Sequence, residues 1–102
     1  NSKLWKDLQL LEPFGAFNPV PTFYLKGVSF KDVTLLKDLH FKGNIYSDSG
    51  TCPVIFFNKP EFYNMVKDNE NKTFDMAVKI TENNWNSRQK IELMGIDISL
   101  NN

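Results

Sequence analysis

A chain of 102 residues can bury one core and build one small domain, and no apolar run approaches the roughly 20 residues a helix needs to cross a bilayer, so no membrane partner is expected. With 41% hydrophobic and 14% aromatic residues the composition is globular and excludes disorder. Twelve Lys and Arg balance twelve Asp and Glu, so net charge supplies no general pull toward a polyanion.

Residues Ser2 to Leu11 place Leu4, Trp5, Leu8 and Leu11 at helical spacing with Ser2 as N-cap, which predicts the tail of a helix. From Leu11 to Phe23 come three prolines, a glycine and three aromatics, a segment that can be neither helix nor central strand. It reads as an ordered, extended connector, a seam between two domains. Residues 1–22 are therefore expected to be helix tail and connector, and 23–102 the domain proper. The chain starts at Asn1 without a signal-peptide pattern, as expected of a processed or excised fragment.

Phe23, Leu25 and Val28 mark a first strand over 22–30, with a bulge at Gly27. Residues 31–39 read as a variable link with apolar residues at Val33, Leu35 and Leu36. His40 to Tyr46 alternates, with Phe41, Gly43 and Ile45 on one face and His40, Lys42, Asn44 and Tyr46 on the other. Ser47-Asp48-Ser49-Gly50 signals a hairpin, and 51–57 is the returning strand, whose Val54-Ile55-Phe56-Phe57 run implies burial on both faces at one end. Asn58 is the expected cap of a short helix entered at Lys59-Pro60-Glu61, with Phe62, Met65 and Val66 inward. A polar loop follows. Residues 73–82 form a fourth strand with Phe74, Met76, Val78 and Ile80 buried; 83–87 turn; 88–100 form the last strand, in which Gly95 shifts the alternation as a bulge would.

Strand, strand, strand, helix, strand, strand is the order of the OB-fold, a five-stranded Greek-key barrel, although other small barrels with one helix share the pattern. The class is all-β with one short helix. Cys52 excludes an internal disulfide, fits a reducing compartment such as the cytoplasm, and with the single histidine cannot build a zinc site; it reads as a small strand residue. No paired carboxylates, nucleophile–base arrangement or metal cluster stands out, so this chain is not expected to be an enzyme or to hold a cofactor.

The connector also resembles a family string. Pro13-Phe14-Gly15, Asn18-Pro19 and Pro21 are similar to the "PFG-x-GNP-x-P" of the RecJ family, bacterial single-stranded-DNA-specific 5′→3′ exonucleases, where the catalytic half meets an OB-fold domain. Phe17 departs, standing where that family has glycine. His40-Phe41-Lys42 and Val54-Ile55-Phe56-Phe57 resemble its "HLK" and "AIAF" strands. Asp75-Met76-Ala77, Asn83-Asn84-Trp85 and Leu93 through Asp97-Ile98 resemble "DLA", "N-x-W-x-G" and "QL-x-x-x-DI", with Ser87 in place of the last glycine. The resemblance runs from about Leu11 to Ile98. It implies an OB domain that guides single-stranded DNA toward a nuclease site elsewhere in a parent chain, in repair and recombination. That family's catalytic DHH residues bind metal, so the parent is expected to use manganese or magnesium; no DHH string is present here. The catalytic domains of the parent and a single-strand-binding protein are the further partners it implies.

An OB-fold binds single strands across its second and third strands and the loops at their ends, using aromatic faces and cations. The candidates are Lys31 and Lys37 in the first link, His40, Lys42, Asn44 and Tyr46 on the outward strand face, and Trp85 with Arg88 at the last turn. Lys26, Lys31, Lys37, His40 and Lys42 fall in one stretch opposed only by Asp32 and Asp38, while 61–75 is richer in acids. Lys79 and Lys90 either extend that basic track or pair with Glu82 and Glu92. Each candidate also has a plain reading: a solvated strand face, solvated loop lysines, a tryptophan folded over the barrel end. Phe14 and Phe23 read as seam or barrel packing. The rival to DNA binding is a module that braces the nuclease domain or docks another protein, and the neutral net charge favours it.

Overall fold

The computed structural model describes residues 9–10, 21–85 and 88–101, with side chains described outside 9–10 and 82–90. Among these residues are strands β1 (Gln9–Leu10), β2 (Thr22–Leu36), β3 (His40–Ser47), β4 (Gly50–Phe56), β5 (Phe74–Trp85) and β6 (Arg88–Leu100), and one helix, α1 (Pro60–Lys67). The sheet order is β1-β2-β3-β4-β6-β5, and β5 returns to pair with β2, so β2 to β6 close into a five-stranded barrel. β4 and β6 run parallel, with Val54 beside Leu93, and the other pairs are antiparallel. That closure is the OB-fold.

β2 makes the closure possible by serving two neighbours. Its first half, Thr22 to Val28, pairs with β5, and its second half, Ser29 to Leu36, pairs with β3. The change of partner falls beside a register shift between Leu25 and Val28, where Gly27 holds φ +67°. A side chain there would be strained by the backbone alone.

Alternation fills the interior. Leu25, Val28, Phe41, Ile45, Cys52, Val54, Phe56, Phe74, Met76, Val78, Leu93 and Ile98 are buried, and α1 seals one end with Val66 buried and Phe62, Tyr63 and Met65 packed on the core. The Phe41 and Phe56 rings stack at 5.4 Å, and Phe62 meets Phe56 edge-on, also at 5.4 Å. The β6 bulge lies where the sequence places it: Ala77 faces Asp97 but Val78 faces Gly95, leaving Ile96 as the extra residue. Gly95 is buried against the Phe56 ring, and a Cβ there would lie inside that ring's contact distance.

Five expectations need correction. Gln9 and Leu10 are not helical; they pair with Tyr24 and Phe23 on the β2 edge, because a ten-residue helical pattern has little stability of its own and the strand edge offers unpaired backbone groups. The rest of that helix, and connector residues 11–20 including Phe14 and Phe17, lie outside the described residues. Residues 31–36 are strand rather than link, hidden in the sequence by a bulge between Lys31 and Thr34. The turn that follows holds positive φ at Lys37 (53°) and Asp38 (57°), with Leu39 N–H donating to the Leu36 carbonyl at 2.9 Å, a type I′ geometry made without glycine. Asn58 is not the helix cap: it sits at φ +57° and its N–H donates to His40 Nδ1, while Lys59 occupies the cap position and makes no side-chain cap bond. Pro60 does open the helix. Residues 83–85 of the expected 83–87 turn are strand instead, Asn83, Asn84 and Trp85 pairing with Lys90, Gln89 and Arg88. The run ending β4 is buried on one face only, for Ile55 is half-buried and Phe57 is 49% exposed; Ile91 and Ile96 on β6 are exposed as well.

Candidate nucleic-acid interface

β3 presents the alternation read from its sequence. Phe41, Gly43 and Ile45 are buried; Lys42 and Tyr46 are exposed; His40 and Asn44 are half-buried on the outward side. The missing side chain at Gly43 has a specific consequence. A Cβ there would lie 2.9 Å from Val33 Cγ1, so glycine is what lets β2 bulge inward at Val33. Lys31 faces Asn44 and Thr34 faces Lys42, which leaves Asp32 and Val33 together opposite Gly43.

That bulge aims two polar side chains. Asp32, at φ +55°, receives a hydrogen bond from Asn44 Nδ2 at 3.4 Å. Lys31, one diagonal step from Tyr46, places its ammonium 5.3 Å from the Tyr46 ring centroid. Lys31, Asn44 and Tyr46 are thus brought together near the Ser47–Gly50 end of the barrel, with Lys42 next along the strand.

Lys37 and His40 stand apart, at the other end of β3. Six residues at about 3.3 Å each put His40 about 20 Å from Tyr46. His40 has a structural task there: its Nδ1 accepts the Asn58 N–H at 3.0 Å and its ring meets Phe57 edge-on at 5.4 Å. The acceptor role assigns the proton of the neutral ring to Nε2. Lys37 is exposed in the I′ turn.

The backbones of Trp85 and Arg88 face each other at the tip of the β5–β6 ribbon. The Ile91 carbonyl lies 3.9 Å from the Cys52 sulfur, so this ribbon rises on the same side as the Ser47–Gly50 hairpin. The side chains of Trp85, Arg88, Lys90 and Glu82 lie outside the described ones. Lys79 is half-buried on β5, opposite Thr22 and Met94.

Sequence reading missed the rows beside β3. Thr51, Pro53 and Ile55 on β4 face Tyr46, Asn44 and Lys42, and Met94 on β6 lies beside Ile55. Lys42, Pro53, Ile91 and Glu92 line a groove of about 370 Å³. Strand periodicity does not say which face of a barrel is inside, so it could not mark these residues as lining a groove. On the far side, around Asp75, a second polar cluster forms: Gly27 N–H donates to Asp75 Oδ1 at 3.0 Å and Asn101 Nδ2 to the same oxygen at 2.7 Å. Burial opposes ionisation of Asp75, but these two hydrogen bonds, a third from Tyr24 and the nearby Lys26 charge together hold its carboxyl below the usual range.

No helix among the described residues is long and apolar enough to cross a membrane, and no group of three His, Cys, Asp or Glu among them could hold a metal ion. The barrel offers strands, a groove and cations.

Two comparisons fit this architecture. The pattern of the RecJ OB domain family matches residues 1–97. The single-stranded-DNA-specific exonuclease RecJ of Bacillus subtilis (strain 168) is 27% identical over an alignment of 90 positions that covers 86% of this chain and 11% of that protein. The chain therefore spans about a ninth of the relative it matches. Closed barrel, helix placement and sequence match agree, and the chain belongs to the RecJ OB domain family.

Proposed function

We propose that this domain binds single-stranded DNA along the outward face of β3 and guides it toward a nuclease site carried elsewhere in a RecJ-like 5′→3′ exonuclease of DNA repair and recombination. The observation that carries the reading is the Lys31–Tyr46 pair beside Asn44 and Lys42, an aromatic face flanked by cations on an exposed strand. Bases stack on such a ring whatever their identity, and ammonium groups follow the phosphates, which yields affinity with little sequence choice. Trp85 and Arg88, at the tip of the ribbon on the same side, extend the track. Lys37 and His40 would meet a strand only if it ran the full length of β3. Manganese or magnesium chemistry belongs to the parent's catalytic domains. The cytoplasm, where chromosomal single strands arise, is the matching location.

The bracing module is the second reading, favoured by the balanced net charge and by β1, which ties the segment before the barrel to the β2 edge. Fluorescence anisotropy of a labelled oligothymidine, titrated at low and moderate salt with duplex as control, separates the two. Binding that prefers the single strand and weakens with salt supports the DNA-guiding role. A folded sample that binds nothing at low salt supports bracing or protein docking.

A further inference from the structure

Phe57 is the most exposed large apolar side chain among the described residues, at 49%, and core packing gives it no task. Its setting is ordered. β3 and β4 pair as far as Phe41 opposite Phe56, and the next step brings Phe57 to His40, so Phe57 shares the outward face with His40, Lys42, Asn44 and Tyr46. The His40 ring meets it in a T-shaped contact at 5.4 Å, and the Asn58 N–H donated to His40 Nδ1 fixes that ring in turn. Leu36, 40% exposed, faces His40 from β2, so three strands build one apolar step at this end of the barrel. Lys37 is exposed in the adjoining turn. Between Tyr46 and Phe57 the outward rows of β3 and β4 carry Lys42 and no carboxylate; Asp38 and Glu92 stand outside those rows, in the turn and on β6.

We propose that Phe57 is a second stacking platform for single-stranded DNA, with Tyr46 the first, and that the span between them sets the length of strand the domain holds. The proposal rests on the single-strand reading above. A T-shaped neighbour covers at most one face of the Phe57 ring, and the ring's exposure leaves surface for a base of any identity. What selects a polyanion with flat rings over an apolar protein surface is continuity: both aromatics and the Lys42 ammonium lie on one face whose β3 and β4 rows hold no negative charge. Tyr46 and Phe57 stand at opposite ends of that face, about 20 Å apart along the strand direction. A stacked strand advances about 3.4 Å per nucleotide, so about six nucleotides join the two rings, with Lys42 between them for the intervening phosphates. That length falls within the roughly 4–16 nucleotides an OB-fold holds. It also puts Lys37 and His40, remote from the Tyr46 cluster, on the path of the strand.

The test uses the whole chain and a series of labelled oligothymidines from about three to about twelve nucleotides, read by anisotropy at low salt. Wild-type affinity is expected to climb steeply up to about six nucleotides and only slowly beyond. F57A should bind the longest strand about tenfold more weakly, and its affinity should level off near about three nucleotides. The shortest strands, which Tyr46 alone can hold, should lose no more than about twofold. F57W restores the long-strand affinity; F57L, which keeps apolar bulk without a ring face, does not. Wild-type binding by F57A at every length takes Phe57 off the strand path, and an equal loss at every length marks a structural role; either overturns the platform and leaves single-strand binding standing. F57L binding as wild type does overturns stacking at this position. Failure of the wild type to bind any strand at low salt, with the barrel folded by circular dichroism, overturns both readings.

Discussion

The Lys31 ammonium sits 5.3 Å from the centroid of the Tyr46 ring because a bulge two residues long, opposite a glycine, turns β2 toward β3 at that point. The pair places a cation and an aromatic face side by side on an exposed strand with Lys42 next along it, and the aromatic platform and the Lys42 cation should fail differently. Tyr46→Ala removes a stacking platform and should weaken single-strand binding by about 1–3 kcal/mol while leaving its salt dependence unchanged. Lys42→Ala removes a phosphate contact and should lower the slope of log affinity against log salt by about 0.7. Anisotropy titrations over a salt series measure both. Identical slopes for wild type and Lys42→Ala would remove Lys42 from the phosphate path.

Two glycines test two different reasons for being glycine. Gly95 is packed on the Phe56 ring, so Gly95→Ala forces a methyl into the stacked Phe41–Phe56 core and should cost about 1–3 kcal/mol in urea unfolding. Gly27 has open space around the Cβ position but φ +67°, so Gly27→Ala should cost about 1–2 kcal/mol through the backbone alone. The distinguishing substitution is asparagine, which tolerates positive φ: Gly27→Asn should recover part of the loss, and Gly95→Asn should be worse than Gly95→Ala.

The barrel was legible because burial follows the period of two on β3 and β5, where Phe41, Gly43 and Ile45, then Phe74, Met76 and Val78, all point inward. What hid was each place where the backbone leaves that period. Asp32 at φ +55° interrupts β2 and makes its last six residues look like a loop, and Lys37-Asp38 forms a tight turn without the glycine that signals one. The outward row of β3 could be read from alternation alone. The groove beside it could not, since Lys42 meets Pro53, Ile91 and Glu92 only after β6 enters parallel to β4, a contact made across some forty residues of chain.

Asp75 ties the first and last strands of the barrel together, and its acid response follows from its surroundings. Its folded pKa lies below the ordinary carboxylate value, so the stability it contributes is present above about pH 4, the unfolded value, and is lost as pH falls through the depressed folded one. Urea midpoints for the wild type should therefore drop between about pH 4 and pH 2 more steeply than those of Asp75→Asn, which keeps an oxygen for Gly27 and loses the charge. Parallel curves for the two proteins would show that other carboxylates set the acid limit.

Cys52 governs the opposite limit. Its thiol is 2% exposed beneath β6, and burial, helped by the Glu92 charge, pushes its pKa up to about 11. A raised folded value means the contribution is complete below the ordinary thiol pKa of about 8.5 and is lost as pH climbs toward 11. Cys52→Ala should flatten the stability profile across that window, at the expense of a small cavity in the core. Tyr24, whose hydroxyl is also pushed up by burial and by its bond to Asp75, begins to contribute only above about pH 10, so Tyr24→Phe separates the two. The same burial predicts that iodoacetamide at pH 8 labels Cys52 only through unfolding, at a rate that rises with urea. Rapid labelling of the native protein, independent of urea, would mean that the β4–β6 seam opens on its own and that the groove above it is not a fixed surface.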